Sequence, residues 1–404
     1  MLKKRGFLLL CVLLLLPALA VWGAGEAEND ENVVISMGLW GNETELALKM
    51  EHAEKAGEVY PGLTIEIQRY SDSVAFWDKL PAEIAANTAP DFLTLTNEGA
   101  FEYIKNELFT PLDSYIKEAG LDVSDYQESA LEVWTSKDQL FGFPIGGAPA
   151  MFIINKDMWD EAGLTEYPET WEDVRIAARK LTTDDRKGLI ANIHEYHLTN
   201  YMLSFGGGWN NGKTIDSPQN IQALEFFLSL YDEGIAVSPK EAGYGWDGEA
   251  FAKGAGAMST GGWWYKGFLS TAAPDMNLVF LPIPEGTTKG CTLHSSANVV
   301  LENTKNKLMA TKAAYYMTDN ALQSKMMEAT GLDPQKKSLS GDYYKINPEF
   351  KAIQAIIPFA QDFAYPEETK RFYDVLVKAI EGRVFGLNQK SATEILKAVQ
   401  AQFN

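Results

Sequence analysis

Hydrophobic positions alternate between two spacings along most of the chain. Residues 33–39 are apolar with period two and read as a strand. Residues 43–60 carry apolar positions at helical spacing, 63–68 alternate apolar and polar as a strand does, 73–86 are helical, and 91–95 form a third strand. This βαβαβ order implies a parallel sheet covered by helices, because parallel strands need crossover connections. On such sheets ligands bind beyond the carboxyl ends of the strands.

A second series starts near residue 150. Strands are predicted at 150–155, 188–193, 255–259, 277–281 and 296–301, and a helix at 220–232. Thr170, followed three positions later by Asp173, is a capping-box pattern that opens another helix. The C-terminal third is mostly helical and ends in a helix over 391–403. Two Gly/Pro-rich stretches, 142–149 and 281–286, are predicted as loops where the chain turns or hinges.

The first residues follow a different pattern. Lys3, Lys4 and Arg5 precede an unbroken apolar run over 7–16, closed by Pro17 and small residues at Ala18, Ala20, Gly23 and Ala24. That is the layout of a secretory signal peptide over 1–24, with cleavage expected near 20–24. The run is short for a membrane span, which needs about 20 apolar residues. Residues 25–32 read as an acidic tether too polar to fold alone. Cys11 would leave with the signal peptide, and Cys291 would remain as a single thiol with no intramolecular disulfide.

Charge narrows the class. There are 55 acidic and 35 basic residues in 404, a formal charge of −20. Removing three basic residues with the signal peptide leaves 55 against 32, or −23. Such a surface argues against nucleic acid or an anionic membrane as partner. The hydrophobic fraction of 46% over this length suffices for two domains with cores of their own.

Signals of catalysis are weak. The sequence has no Gly-x-Ser-x-Gly elbow. His194 and His197 are spaced i, i+3, not the i, i+4 of a zinc-binding helix. Tyrosine pairs at 315–316 and 343–344 could suit ferric ion; core packing accounts better for the first pair. No cofactor is expected.

Tryptophan placement carries more. Trp77, Trp159 and Trp171 lie in predicted helices and read as packing residues; Trp134 lies in a polar stretch. Trp40, Trp209, Trp246, Trp263 and Trp264 instead sit near strand ends or in glycine-rich loops, close to Asn42, Glu43 and Asp247 among other polar groups. Flat indoles beside amides and carboxylates suit a sugar, whose C–H face stacks while its hydroxyls are hydrogen-bonded. Filling of loop–core junctions is the alternative.

The order of several short motifs resembles a known family. These are Trp77-Asp-Lys-Leu80 with Ala89-Pro-Asp91, Gly142-Phe-Pro-Ile145 with Ile154-Asn-Lys-Asp157, and Glu161-Ala-Gly-Leu164 with Thr170-Trp-Glu-Asp173. Ser217-Pro218, Phe251-Ala-Lys-Gly254, Gly261-Gly-Trp263 and Gly331-Leu-Asp-Pro-Gln335 follow. Together they resemble the extracellular solute-binding proteins of ATP-driven sugar importers, the group that contains the maltose-binding protein. The resemblance implies a type II periplasmic binding protein fold: two α/β lobes, each a sheet flanked by helices, joined by a hinge. It places the N-lobe at 33–146 plus 286–335 and the C-lobe at 147–285 plus 336–404.

It also implies a monomer that is not an enzyme, found in the periplasm or outside the cell, which closes on carbohydrate and delivers it to membrane permease subunits. Its sugar contacts fall on Asn42 and Glu43, on Asn97 and Glu98, and on His194, Glu195 and Tyr196. Trp263 falls on a stacking aromatic, and Phe372 and Tyr373 fall near another. Two positions depart from the pattern: Gly146-Gly-Ala148 stands where the maltose binder has a hinge acid, and glycine follows Glu98 where it has a charged contact. Both bear on maltose specificity, not on the sugar class. A secreted carbohydrate-active enzyme, or a polyamine or ferric-ion binder of the same fold, is the competing reading.

Overall fold

The computed structural model describes residues 32–403. The signal-peptide reading and all but the last residue of the tether lie outside that range.

The first sheet is built around β1 (Val33–Leu39), β2 (Leu63–Arg69) and β3 (Phe92–Thr96), with β1 central and parallel to both neighbours. Between them run α1 (Glu43–Ala53) and α2 (Ser73–Ala85), so the predicted βαβαβ unit is present. The predicted helix over 43–60 breaks after Ala53 and resumes as a short turn at Ala56–Val59. Asp91 anchors β1 beside β3: its carboxylate accepts from the backbone N–H and the hydroxyl of Ser36, at 2.8 and 2.7 Å.

This sheet is mixed, not wholly parallel. β4 (Gly142–Pro149) and β10 (Cys291–Val300) run antiparallel to each other, and β10 is antiparallel to β3. The expected hinge loop at 142–149 is therefore a fully buried strand. Its prolines and glycines have a structural use. The register shifts at Ser296/Ala297, so that Pro144 faces Ala297 while Gly146 faces Ser296, and Ile145 is the extra residue of a bulge. A strand tolerates proline at such a break in the ladder. The short β11 (Ala360–Gln361) closes the edge of this sheet against β10, although 336–404 was expected to belong to the other lobe.

The second sheet holds β5 (Met151–Asn155), β6 (Lys187–Ile190), β7 (Ala236–Val237), β8 (Gly256–Gly261) and β9 (Leu278–Pro282), in the order β9-β5-β8-β6-β7. β6 is shorter than predicted and ends at Ile190. Its helices include α4 (Trp171–Leu181), opened by the predicted Thr170/Asp173 capping box, and α6 (Pro218–Asp232), capped by Ser217. The chain passes from the first sheet to the second directly, β4 into β5, and returns between β9 and β10. One large apolar cluster runs through both sheets, from Ile35 and Phe143 in the first to Ile153 and Met258 in the second. Phe152, Trp171 and Phe227 are buried around the second, while Phe76, Leu80, Leu93 and Leu95 form a separate cluster under α2.

Candidate functional site

β3 ends at Thr96, and α3 (Asn97–Lys105) starts at once. Asn97 is buried and grips the neighbouring strand β10. Its amide nitrogen donates to the carbonyl of Leu293 (3.1 Å), and its amide oxygen accepts from the N–H of Ser295 (2.9 Å). Both halves of the side chain are thereby spent on fixing the start of α3.

Glu98 comes next and faces a cavity of about 530 Å³. Trp77 and Glu98 wall it from the first-sheet side, and His194, Glu195 and Tyr373 from the second. Burial pushes the Glu98 carboxyl up to about 7; His194 opposes that rise and Glu195 adds to it. Tyr373 lies on α11 (Thr369–Val384) and donates its hydroxyl to the backbone carbonyl of Glu98 at 3.0 Å. On the rim, Lys370 from α11 pairs with Asp78 from α2 at 3.1 Å.

His194 is the N-cap of α5 (Glu195–Ser204): its Nδ1 accepts from the N–H of Tyr196 at 3.2 Å. Its Nε2 lies 3.4 Å from Glu195 Oε1. Tyr196 is buried behind the cavity, with its hydroxyl donated to the carbonyl of Gly261 (2.9 Å). Its ring meets those of Trp264 (5.5 Å) and His294 (6.2 Å) edge-on.

Other predicted site residues are used differently. Trp40 packs on Phe76 and Trp77, at 4.5 and 6.3 Å, and so supports the cavity wall from behind. Asn42 caps α1, accepting from the N–H of Glu45 (3.0 Å), and Glu43 is exposed in an ion pair with Arg69. Trp246 packs on Phe268 and Tyr265. Trp263 is buried, and its Nε1 has no hydrogen-bond partner.

Two of the expected contacts are placed inside the protein, away from the cavity. Trp209 is fully buried: its indole N–H donates to the hydroxyl of Thr199 (2.8 Å) and its ring packs on Phe372. A glycine-rich run reads as a loop, but Gly206–Gly208 only turns the chain back into the core. Asp247 is also buried, where its carboxylate accepts from Asn192 (2.7 Å) and Tyr265 (2.5 Å) and pairs with His197 (3.1 Å). Burial works against its charge, but these partners, His197 foremost, hold the carboxyl down at about 2.

Trp77, read as a packing residue, does pack on Trp40, Phe76 and Tyr103, and it also lines the cavity. Phe76 and Leu80 form the buried stripe of α2, four residues apart; Trp77 is one residue, or 100°, off that stripe and turns to the cavity. Gly99 makes room for it, since a Cβ there would lie 2.9 Å from the indole edge. Of the two residues expected near the second stacker, Phe372 is core and Tyr373 lines the cavity.

The metal readings do not fit these residues. Both nitrogens of His197 are engaged, Nδ1 with Thr260 (2.6 Å) and Nε2 with Asp247. Tyr316 and Tyr343 donate to the backbone carbonyls of His52 and Gly331. Among the described residues no group of three or more His, Cys, Asp or Glu is placed to hold a metal ion.

Two mixed sheets with flanking helices, and a cavity walled from both, define a two-lobed α/β binding-protein fold. The chain belongs to the bacterial extracellular solute-binding protein family, whose model matches residues 40–324. It is 22% identical over 372 residues to the diacetylchitobiose binding protein of Streptomyces coelicolor, covering 84% of this chain and 81% of that one. Its fold is similar to that of an ABC substrate-binding protein from Listeria monocytogenes solved with cycloalternan. There the TM-score is 0.82 at 20% identity, with 92% and 98% of the two chains covered. A glycerophosphocholine complex of a Mycobacterium tuberculosis protein is also similar, with a TM-score of 0.77 at 19% identity over 91% and 96% of the chains. The fold thus serves sugars and non-sugars, and the site must decide between them.

Proposed function

We propose that the chain is the oligosaccharide-binding subunit of an ABC importer, exported through its signal peptide, without catalytic activity of its own. The observation that carries this is the cavity between the sheets, where the indole of Trp77 and the phenol ring of Tyr373 stand beside Glu98, His194 and Glu195. Aromatic faces with flanking acceptors and donors suit the apolar and hydroxyl sides of a sugar ring. The names of relatives support the same class: diacetylchitobiose, galactooligosaccharide and arabinooligosaccharide binders.

In this reading the lobes are 33–146 plus 286–335 and 147–285 plus 336–404, with Ala360–Gln361 crossing back to the first sheet. Ligand touches both walls only when the lobes are together, so it favours the closed state, and a membrane permease accepts that form. The protein acts as a monomer in the periplasm or outside the cell, and its acidic surface keeps it soluble.

A thermal-shift panel of maltotriose, mannotriose, galactobiose and N,N′-diacetylchitobiose tests the reading, followed by titration calorimetry on the best ligand. Stabilisation by at least one sugar is expected. No shift with any sugar, a shift with spermidine instead, or release of shorter products on incubation would overturn it.

A further inference from the structure

β4 and β10 lie where the chain passes between the sheets, and they pair with His294 opposite Ala148 and Ser295 opposite Gly147. β4 reads Gly-Phe-Pro-Ile-Gly-Gly-Ala-Pro and contributes no polar side chain to this junction. His294 does. It is nine-tenths buried, and its ring lies 5.0 Å from that of Trp264 and 6.2 Å from that of Tyr196, both from the second-sheet side. Its Nδ1 has no hydrogen-bond partner in the protein. Among the described residues few buried side-chain polar atoms lack a partner, and a second one, Trp263 Nε1, belongs to the residue next to Trp264. Leaving such an atom unpaired is costly, so a fold tolerates it where another molecule supplies the bond.

We propose that His294 is a ligand-contacting residue, its imidazole hydrogen-bonding a hydroxyl of a neutral sugar ring that packs against Trp264. This rests on the oligosaccharide reading above and extends the site from the Glu98 cavity past Tyr196 to the junction strands. The chemistry selects against anions. Burial holds His294 down at about 4, so it brings no positive charge at neutral pH, and Glu98 and Glu195 line the neighbouring cavity. An uncharged imidazole has one donor and one acceptor, which match a hydroxyl group.

The test uses whichever sugar of the panel stabilises the wild type most, titrated into wild type, His294→Gln and His294→Phe. His294→Phe is expected to weaken binding about tenfold, the loss of one well-buried hydrogen bond, while His294→Gln, which keeps a donor and an acceptor, stays within about threefold of wild type. The ligand-free Phe variant is expected to be at least as heat-stable as the wild type, because an unpaired polar atom has been replaced by an apolar ring of similar shape. A purely structural histidine would lose stability and affinity together, and that result overturns the proposal, as does unchanged affinity in His294→Phe. If the Phe variant does not fold, nitrogen-15 spectra of the wild-type histidine rings decide. A change at the His294 nitrogens on sugar addition supports the contact, and no change refutes it. If no sugar binds the wild type, both readings fall; if sugar binds but His294 is indifferent, only this one does.

Discussion

Tyr373 and Glu98 are joined across the cavity: the tyrosine hydroxyl on α11 donates to the glutamate backbone carbonyl in the first turn of α3, at 3.0 Å. The bond links a helix packed on the second-sheet side to the helix that follows β3. It therefore belongs to the closed arrangement, and opening the lobes would break it. Tyr373→Phe should weaken ligand binding about fivefold, about 1 kcal/mol for a net hydrogen bond, with the melting temperature of the ligand-free protein little changed. Titration calorimetry reads this directly. An unaltered dissociation constant would mean the bond does not favour closure.

Glu98 sets a pH dependence. Its folded carboxyl is raised from 4.5 to about 7, chiefly by burial. A raised acid contributes stability that is fully present below the unfolded value and is lost as pH rises through the folded one. Wild-type stability should fall between about pH 5 and pH 8 relative to Glu98→Gln, which has no charge to bury. Glu45 and Asp333, also raised to about 7 by burial, add a slope of the same sign that both proteins share. Melting curves across this range give the difference, and parallel profiles for the two proteins would contradict the assignment.

Trp77 and Gly99 form a second testable pair. The indole occupies the place a side chain at Gly99 would need, 2.9 Å from the position of its Cβ. Trp77→Ala should cost about 1–2 kcal/mol in sugar affinity through loss of a stacking face. Gly99→Ala should also lower affinity by displacing the indole, although alanine favours the helix by about 1 kcal/mol. Affinity lost in both variants with folding intact points to the ring itself. Loss in neither would make Trp77 a packing residue, as helical periodicity suggests.

How far the sequence could be read follows from these residues. Strands and helices with a clean period were legible: β1 to β3, α2, and the Thr170/Asp173 cap all stand where the spacing puts them. The junction was not. β4 is rich in glycine and proline, which read as a loop, yet it is a buried strand because its partner β10 supplies a ladder and a bulge absorbs Pro144. Site residues followed the same logic. Glu98 and His194 were reached through family motifs and do line the cavity. Trp209 and Asp247 carried the right chemistry in the right kind of segment, but their burial depends on Phe372 for the first and on Asn192 and His197 for the second, contacts distant enough in sequence to leave no local trace.

Asp247 gives the sharpest contrast between the two readings. As a sugar ligand it would affect affinity; as placed, it affects folding. Its carboxylate accepts from Asn192 and Tyr265 and pairs with His197 deep under the second sheet, and removing it strands these partners. Asp247→Ala should cost about 3 kcal/mol in urea-induced unfolding at neutral pH, within the range for breaking a buried pair. The carboxyl is held down at about 2 from its usual 3.8. Its contribution is therefore present above the unfolded value and is lost as pH falls through the folded one. The gap between wild type and variant should shrink on acidification below about pH 4, the reverse of the Glu98 slope and in a separate window. A variant as stable as wild type but unable to bind sugar would return Asp247 to the ligand.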